Sequence, residues 1–199
     1  LKNLKLKIII VIPKNDELTK ESIKSFNCKV IEEQNGKGYG NALRTGIDQV
    51  ETDLFCIFNA DGSFKPSELK FMYNLSKKEN YDLVFGSRYE KNSSSDDDTI
   101  ITYVGNKIFS FIGKLFFSLP ITDILYTYVL GKTVKTNKLN LLYKDFCLCV
   151  ELPIKASKNK MSLISSPANE RKRLGGKKKV NAFKDGLKIL IAMIMLRLK

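Results

Sequence analysis

Residues 55–66, FCIFNADGSFKP, decide how the rest of the sequence is interpreted. Residues 53–58 form a short, aromatic and apolar run, which predicts a β-strand buried on both faces. Residues 59–62 predict a loop at the carboxyl end of that strand, and Pro66 predicts the start of a helix. Because open α/β sheets bind ligands beyond their strand ends, Asp61 is well placed to hold a divalent cation against phosphate oxygens. The alternative is that Asp61 only caps the following helix.

Strand and helix patterns alternate on both sides of this stretch. This alternation predicts an α/β fold with a mostly parallel sheet flanked by helices and with an amphipathic C-terminal helix. The length of 199 residues predicts a single domain. Strands are expected at residues 7–13, 28–32, 53–58, 81–86 and 161–166, and helices from about 17 to 27, after 38, and at 66–78, 99–119, 145–157 and 180–198.

The positive charge of the chain is concentrated in its C-terminal third. The net charge is +13, yet residues 1–130 hold 17 basic and 17 acidic residues and are therefore neutral. Residues 131–199 hold 17 basic and 4 acidic residues and carry the whole excess. An anionic partner should therefore meet this third, and the candidates are anionic lipid, a phosphorylated substrate and nucleic acid.

The sequence contains no histidine, which excludes serine–histidine and cysteine–histidine nucleophile pairs and most zinc sites. The four cysteines include no Cys-x-x-Cys pair, and three of them lie in apolar runs. We therefore expect buried, reduced thiols, as in a cytoplasmic protein.

A glycine-rich loop opens the second helix. Residues 34–46, QNGKGYGNALRTG, lack the spacing of the dinucleotide fingerprint. Bare backbone amides at a helix start, with Lys37 beside them, nevertheless suit an anion. Asp16 follows the first strand and either contacts a nucleotide or caps the first helix, and capping is the simpler interpretation.

Two stretches of the second half predict contact with solvent or with a surface. Residues 91–98, KNSSSDDD, predict a solvated loop, with a substrate-responsive lid as the alternative. Residues 99–119 form a long apolar helix that carries Lys107 and Lys114, which make a membrane span costly. We interpret this helix as amphipathic, lying on the core or on a membrane face.

Three further features are candidates for catalysis or binding. Asp123 lies among apolar and aromatic residues, which predicts a base or a ligand, with a helix cap as the alternative. Glu151 lies on a predicted helix. Residues 170–179, ERKRLGGKKK, form a basic loop hinged on two glycines, which is either a solvated face or a set of cations that closes over a diphosphate.

Taken in order, these motifs resemble family 2 glycosyltransferases of the dolichol-phosphate-mannosyltransferase-like branch, which have a GT-A fold. The resemblance covers nearly the whole chain. The glycine-rich loop resembles the donor loop, residues 59–62 resemble the Asp-x-Asp metal motif, and residues 86–89 resemble the Gly-Ser-Arg motif after the next strand. Asp123 matches the aspartate of the acceptor-side motif, and Glu151 with the basic loop resembles the closing Glu, Arg and Gly-x-Ser-Lys pattern.

This resemblance implies a divalent cation, Mg²⁺ or Mn²⁺, that bridges the diphosphate of a nucleotide sugar. It implies Asp61 and Asn59 as metal ligands, and Asp123 and Asp61 as catalytic residues. Asp123 would deprotonate an alcohol acceptor, whereas it would only position an acceptor that is already a phosphate. The residues implied in donor binding are Asp16, Gly36, Lys37, Gly38, Arg44, Asn59, Ala60, Arg88, Glu151, Arg171, Arg173 and Lys178.

The sequence departs from the family pattern in two places. Asn59 replaces the first carboxylate of Asp-x-Asp, which removes a negative charge from the metal site. The spacing from Asp16 to Gly36 fits the second strand of the family better than the first, so we expect a chain truncated at its N-terminus, with an exposed sheet edge. Alignment of residues 12–17 with the family's opening Pro-x-Tyr-Asn-Glu is the alternative.

We therefore expect a hexosyltransferase that acts on a polyprenyl phosphate or a saccharide acceptor in the synthesis of cell-envelope polysaccharide. Residues 1–90 would bind the nucleotide sugar, and residues 91–199 would face the acceptor and an anionic membrane surface, with the protein bound peripherally on the cytoplasmic side. One alternative is a catalytically impaired relative. A nucleic-acid-binding module is disfavoured because residues 170–179 lack interleaved aromatics, and a nucleotidyltransferase is disfavoured because its N-terminal signature is absent.

Overall fold

The structure, a computed structural model, describes residues 5–33, 38–175 and 180–198. The strands and helices expected from the sequence are all present, within a few residues of their predicted bounds. The elements in chain order are β1 (Ile9–Ile12), α1 (Glu17–Ile23), β2 (Lys29–Glu32), α2 (Tyr39–Asp48), β3 (Leu54–Ile57), a 3-10 turn (Pro66–Glu68), α3 (Leu69–Lys78), β4 (Leu83–Ser87), β5 (Ser94–Ser95), α4 (Ile100–Phe117), β6 (Val129–Lys132), α5 (Thr133–Asn137), α6 (Leu148–Lys158), β7 (Leu163–Pro167), β8 (Asn169–Glu170) and α7 (Ala182–Leu198).

A four-stranded sheet with the order β3-β6-β4-β7 forms the centre of the fold. Strand β6 runs antiparallel to both of its neighbours, whereas β4 and β7 pair in parallel from Leu83↔Leu163 to Ser87↔Pro167. Three of the four strands therefore point in the same direction, and the predicted mostly parallel sheet is confirmed. Strand β6 was not predicted. Because β6 lies between β3 and β4, residues 1–90 and residues 91–199 both contribute strands to this sheet.

Each face of the central sheet packs against its own hydrophobic cluster. Along β3, Phe55 and Ile57 face one cluster, while Leu54 and Cys56 face the other. The predicted burial of this strand on both faces is therefore confirmed. Residues of α4, α6 and α7 complete the first cluster, and residues of α3 complete the second. The result is a three-layer arrangement, helices–sheet–helices, in which the carboxyl ends of β3 and β4 stay accessible to the loops that follow them.

Two smaller ladders lie outside the central sheet. Strands β1 and β2 pair in parallel from Ile9↔Lys29 to Ile12↔Glu32, and in the described part of the chain no ladder joins them to the central sheet. Strands β5 and β8 pair in parallel and attach the loop of residues 91–98 to Asn169–Glu170. The loop predicted to be simply solvated is therefore tied to the start of the basic loop.

Helix α4 has well-defined ends. Thr99 and Thr102 form a reciprocal capping box, in which Thr99 Oγ1 accepts from the Thr102 amide (3.2 Å) and Thr102 Oγ1 accepts from the Thr99 amide (2.9 Å). Ser118 ends the helix in the left-handed conformation with φ 53°. By length and composition alone, α4 is the one helix of the described residues that could cross a membrane, and 22% of it is buried in the fold.

The four cysteines differ in burial, and their reduced state stays a prediction. All four are free, with Cys147 and Cys149 buried and Cys28 and Cys56 half-buried. Burial raises the pKa of Cys147 and of Cys149 to about 12, so both thiols stay protonated near neutral pH.

Candidate active site

Asp61 forms a tight turn at the carboxyl end of β3. Its Oδ1 accepts hydrogen bonds from the Ser63 amide (3.0 Å) and the Ser63 hydroxyl (2.6 Å). Asp61 therefore closes its own turn. The alternative interpretation, in which Asp61 caps the helix that follows, is wrong. Gly62 makes the turn possible because its φ of +82° lies in the left-handed region that favours glycine. Glycine also leaves room for the Leu174 side chain, which would lie 2.7 Å from a Cβ at this position.

The beginning of the basic loop lies directly on this turn. The Leu174 amide donates to the Asp61 carbonyl (2.8 Å), and the Arg171 amide donates to the Ser63 carbonyl (2.9 Å). Arg171 also donates through Nη2 to the Phe64 carbonyl (2.8 Å). Residues about 110 positions apart in the sequence are thus brought together at the Asp61 turn.

Arg173 connects two carboxylates at this place. Its Nη1 lies 3.8 Å from Asp61 Oδ2, and its Nη2 donates to Asp97 Oδ2 (3.3 Å). Both ion pairs are partly exposed, with 21–27% of each side chain accessible. The Asp61 oxygen that is not used by the turn therefore faces a cation at a solvent-accessible position.

Tyr39 links the glycine-rich loop to the Asp61 loop. Its hydroxyl donates to Asn59 Oδ1 (3.2 Å) and pairs with Thr127 Oγ1 (2.6 Å), and its ring stacks on Phe146 with centroids 5.0 Å apart. Burial raises the pKa of the Tyr39 hydroxyl, so the hydroxyl stays a donor. The amide oxygen of Asn59 is therefore oriented by a neighbouring side chain.

Gly38 and Glu151 take part in the support of the glycine-rich loop. A Cβ on Gly38 would lie 2.2 Å from the Lys144 carbonyl oxygen, so this backbone approach requires glycine. Glu151 is buried, and its carboxylate accepts from the amides of Leu142 (2.8 Å) and Tyr143 (2.9 Å) and from Lys155 Nζ (2.8 Å). In this structure Glu151 therefore anchors the segment on which Gly38 rests, and its contact with the donor stays a prediction.

Arg88 and Asp123 form a buried ion pair. Arg88 Nε donates to Asp123 Oδ2 (2.7 Å), and Nη2 donates to Asp123 Oδ1 (3.1 Å). The Arg88 Nη1 group donates to Asp98 (3.2 Å) and Glu170 (3.1 Å). Burial by itself lowers the pKa of Arg88, but attraction to Asp123 and the hydrogen bonds with it raise that pKa above its ordinary value. The guanidinium is therefore permanently charged and holds three segments of the chain together.

Asp123, expected to act as a base, is held by Arg88 in this structure. The side chain is 0% exposed, and both of its oxygens are bonded to Arg88. A general base must reach the proton that it removes, and the catalytic role of Asp123 stays a prediction. Asp123 is not a helix cap either, since its partners belong to the segment that follows β4. Arg88, expected to contact the donor, is likewise occupied by carboxylates.

Two other residues expected to bind the donor lie in different environments. Asp16 accepts from the Thr19 amide (3.1 Å) and hydroxyl (2.7 Å), so the capping interpretation is confirmed. These hydrogen bonds lower the pKa of Asp16. Arg44 donates to the Leu142 carbonyl (2.9 Å) at the edge of a cavity of about 190 Å³, whose lining contains none of the residues 59–64. Gly36, Lys37 and Lys178 lie outside the described residues.

Comparison with known proteins agrees with this architecture. Residues 1–138 match the model of glycosyl transferase family 2. The chain belongs to glycosyl transferase family 2. No curated protein sequence matches this family 2 glycosyltransferase.

Several solved structures have the same fold as this glycosyltransferase. Glucosyl-3-phosphoglycerate synthase from Mycobacterium tuberculosis, in complex with Mn²⁺, uridine diphosphate and phosphoglyceric acid, matches with a TM-score of 0.73 and 10% identity over 99% of this chain and 69% of that chain. The same enzyme with Mg²⁺ and uridine diphosphate matches with a TM-score of 0.70 and 10% identity over 94% of this chain and 67% of that chain. These similarities confirm the expected GT-A-like fold. They concern a phosphoglycerate enzyme, so membership of the dolichol-phosphate-mannosyltransferase-like branch stays a prediction.

The donor atoms at the Asp61 turn suit a cation that is shared with a substrate. Asp61 Oδ2 and Asn59 Oδ1 supply one carboxylate oxygen and one amide oxygen, while no group of three or more His, Cys, Asp or Glu side chains able to hold a metal occurs in residues 5–33, 38–175 and 180–198. Mg²⁺ is commonly bound by one or two carboxylates together with substrate phosphates rather than by an all-protein cage. The residues of this glycosyltransferase therefore fit a cation held jointly with a diphosphate.

Sequence reasoning missed two residues of this site. Tyr39 lies inside the quoted glycine-rich loop, and its position between two glycines gave no signal for its contact with Asn59. Asp97 lies in the acidic run that was interpreted as a loop, and its contact with Arg173 depends on the β5–β8 pairing. The sequence contains an acidic run at residues 96–98 and a basic run at residues 171–173, and their opposite charges were the available signal for the contact of Asp97 with Arg173.

Proposed function

We propose that this family 2 glycosyltransferase transfers a hexose from a nucleotide diphosphate sugar, with Mg²⁺ or Mn²⁺ as cofactor. One observation carries the proposal: Arg173 and the Asp61 turn lie against each other at the carboxyl end of β3, with Asp61 Oδ2 facing the guanidinium at 3.8 Å. A diphosphate with its cation needs a carboxylate and cationic donors at the same place. The complexes of glucosyl-3-phosphoglycerate synthase with uridine diphosphate and Mn²⁺ or Mg²⁺ support it by analogy of fold.

The residues of the turn would hold the donor rather than react with it. Asp61 Oδ2 and the Asn59 amide oxygen would hold the cation, which when bound would neutralise the charge that develops on the departing nucleoside diphosphate. Arg173 would move from Asp61 to the phosphate oxygens, which offer it a stronger bidentate partner. Arg171 would stay on the Phe64 carbonyl and fix the loop, and Lys178 would add a further cation.

The sealed position of Asp123 favours an acceptor that needs no base. An alcohol acceptor must lose a proton as it attacks the anomeric carbon, whereas a phosphate acceptor is already anionic. Because both oxygens of Asp123 are bonded to Arg88, we assign Asp123 a positioning role and favour a polyprenyl phosphate over an alcohol such as a saccharide hydroxyl. This choice of acceptor corresponds to the dolichol-phosphate-mannosyltransferase-like branch.

We further propose that the protein works at the cytoplasmic face of a membrane, in cell-envelope polysaccharide synthesis. The excess charge of residues 131–199 would meet anionic lipid, and a polyprenyl phosphate would be reached there without leaving the bilayer.

A catalytically impaired relative is the second candidate. It is favoured by Asn59, whose amide oxygen carries no charge and already accepts a hydrogen bond from Tyr39. Such a protein would bind the nucleotide sugar and the cation without turnover.

A thermal-shift experiment tests the proposal. The sugar diphosphates of uridine, guanosine and thymidine would be compared with and without Mn²⁺, and we expect one of them to stabilise the protein in a Mn²⁺-dependent manner. Asp61→Ala should abolish this shift, whereas Asp96→Ala, which removes an exposed carboxylate of the 91–98 loop, should retain it. No shift with any pair, or an equal shift in Asp61→Ala, would contradict the proposal. Release of nucleoside diphosphate upon addition of a polyprenyl phosphate then separates an active enzyme from an impaired one.

A further inference from the structure

Helix α4 buries two polar side chains among its contacts with the rest of the domain. Its buried positions include Asn106, Ser110 and Gly113. Asn106 Nδ2 donates to the Tyr89 hydroxyl (2.9 Å), and Ser110 Oγ accepts from the Ile124 amide (3.1 Å). Phe117 is buried beside them, and Phe109 and Ile112 pack against the core, so the apolar residues of this helix are not confined to its buried side.

The outer side of α4 is almost entirely apolar. Its exposure is large, reaching 84% for Ile100 and 65% for Phe111. A soluble monomer rarely exposes an apolar area of this kind without a partner. The exposed apolar residues of this side are Ile100, Ile101, Tyr103, Val104, Ile108, Phe111, Leu115 and Phe116.

Helix α7 exposes a second apolar stripe. Its buried positions are Ile189, Ala192, Met193 and Leu196, and its exposed apolar residues recur at helical spacing on the opposite side. The exposed apolar residues are Phe183, Leu187, Leu190, Ile191, Ile194, Met195 and Leu198.

The two stripes belong to one continuous surface. A Cβ on Gly186 of α7 would lie 3.9 Å from the Phe109 ring of α4, so the helices touch there. Near their carboxyl ends both contact α6, because Ser157 Oγ donates to the Phe117 carbonyl (3.0 Å) and Lys158 Nζ donates to the Leu196 carbonyl (2.6 Å). The helices therefore run side by side in the same direction over α6. We call their outer surface the α4–α7 face.

Cations accompany this face on both helices. Lys107 and Lys114 are exposed on α4, and Lys184, Lys188 and Arg197 are exposed on α7. The single carboxylate within these two helices is Asp185, which accepts from the Asn181 amide (2.8 Å) at the start of α7. An apolar stripe accompanied by lysine and arginine is typical of helices that lie in the interface of an anionic bilayer.

We propose that the α4–α7 face docks on an anionic lipid bilayer, with both helices lying in the plane of the interface. The polar groups of α4 favour this orientation over a span, since Asn106 and Ser110 are bonded to the domain and cannot face lipid chains. The cations favour lipid over a second copy of this chain, because the +13 charge would make two such faces repel each other.

Docking would also place a cavity at the membrane edge. A cavity of about 380 Å³ lies at the start of α4, where Ile100 and Tyr103 of the α4–α7 face line it together with Arg88 and Asp98. Because its apolar rim is part of the docking surface, the cavity would open toward lipid head groups. On the proposed function, this opening would admit an acceptor carried in the bilayer.

Vesicle flotation tests the docking without donor or metal, so its outcome is independent of the thermal-shift test of the proposed function. The full chain would be mixed with phosphatidylcholine vesicles that contain or lack phosphatidylglycerol. We expect flotation with the anionic vesicles, and a loss of at least about tenfold in partitioning for Ile108→Gln/Phe111→Gln/Leu115→Gln, since each change removes apolar area from the interface. Lys107→Gln/Lys114→Gln/Lys188→Gln should weaken binding to anionic vesicles only.

The matched control replaces equally exposed apolar residues elsewhere. Leu18→Gln/Phe71→Gln/Val134→Gln should float as the wild type does, and circular dichroism would establish that all variants are folded. The proposal is overturned if the wild-type protein stays in solution with anionic vesicles, or if both apolar triple variants lose binding equally. It is also overturned if the wild-type protein is a dimer by sedimentation velocity and the α4 triple variant is a monomer, because the face would then bind a second copy.

Discussion

Arg88 and Asp123 face each other with two hydrogen bonds, Nε to Oδ2 at 2.7 Å and Nη2 to Oδ1 at 3.1 Å, and both side chains are buried. This pair lies at the point where three segments of the chain meet. The arginine also holds Asp98 and Glu170, so the segment after β4, the 91–98 loop and the start of the basic loop meet at one guanidinium. A carboxylate suited by sequence to catalysis is thereby used to assemble the site.

Removal of the Asp123 carboxylate should mainly lower the free energy of unfolding and should affect turnover less. Asp123→Ala leaves a buried guanidinium short of a partner, which typically costs about 3–5 kcal/mol. Urea unfolding measures this loss, and Asp96→Ala, on the exposed part of the loop, should change the free energy of unfolding by less than about 0.5 kcal/mol. If Asp123→Ala keeps its stability and loses only turnover, Asp123 acts as a base after all.

The loss of stability at low pH should depend on Asp82. This buried carboxylate accepts from Lys132 Nζ (2.9 Å) and Lys135 Nζ (2.8 Å). Burial raises its pKa, but the hydrogen bonds from Lys135 and Lys132 outweigh burial and lower the pKa from 3.8 to about 2. Because the folded state favours the ionised form, Asp82 contributes about 2 kcal/mol above pH 4, and this contribution disappears as the pH falls toward 2.

Stability measured across this pH range checks the assignment. In Asp82→Asn, the free energy of unfolding should be lower near neutral pH and should fall less steeply between about pH 4 and pH 2. Asp53→Asn is the matched control, because its carboxylate is 91% exposed beside Lys77. The assignment fails if the two variants follow the same pH curve.

Two glycine-to-alanine changes should alter the stability of the fold in opposite directions. In Gly38→Ala, the new Cβ would lie 2.2 Å from the Lys144 carbonyl oxygen, so the backbone of one segment must move. We expect a loss of about 1–3 kcal/mol, as for other overpacked sites. Gly105 lies inside α4, and the Cβ that Gly105→Ala adds has open space around it to 4 Å. Because alanine favours the helix more than glycine does, this change should raise the free energy of unfolding by as much as about 1 kcal/mol. Thermal unfolding of both variants checks the pair of signs.

Arg173 should matter for nucleotide binding and its neighbour Lys172 should not. Arg173 lies at Asp61 and Asp97, whereas Lys172 is exposed. A charge-assisted hydrogen bond contributes about 1.5–3 kcal/mol, so Arg173→Gln should weaken Mn²⁺-dependent binding of the nucleoside diphosphate by roughly tenfold or more. Lys172→Gln carries the same change in charge and should bind almost as the wild type does. Calorimetric titration distinguishes a specific contact from a general field, which would affect both variants equally.

Local patterns in the sequence were sufficient for the longer helices, for five of the strands and for the position of Asp61, but not for β5, β6, β8 or the short helix α5. The unbroken run of residues 53–58 predicted a strand covered on both sides, since neither face could be left in water. The Asp16 cap and the Thr99 start of α4 follow from short-range chemistry between two residues that are three positions apart. They could be predicted because all partners lie within one turn.

The candidate site could be predicted only in part. Asp61, Arg171 and Arg173 were named from the sequence, but their contacts join positions about 110 residues apart, and no local signal carries that information. Asp123 and Glu151 were expected at the donor or acceptor, because a carboxylate near apolar residues predicts equally a catalytic group and a buried anchor. Only the partners, Arg88 for one and two backbone amides for the other, distinguish these roles.

The sequence by itself determined the order of the main helices and strands other than β6, the family motifs and the concentration of charge in residues 131–199. The tertiary structure alone decided that β6 inserts between β3 and β4, that Arg88 binds Asp123, and that α4 buries Asn106 and Ser110. The physical reason is that periodicity and composition record the environment of a segment over a few residues. Strand pairing, buried ion pairs and the choice of helix face depend instead on partners that only the folded chain brings into contact.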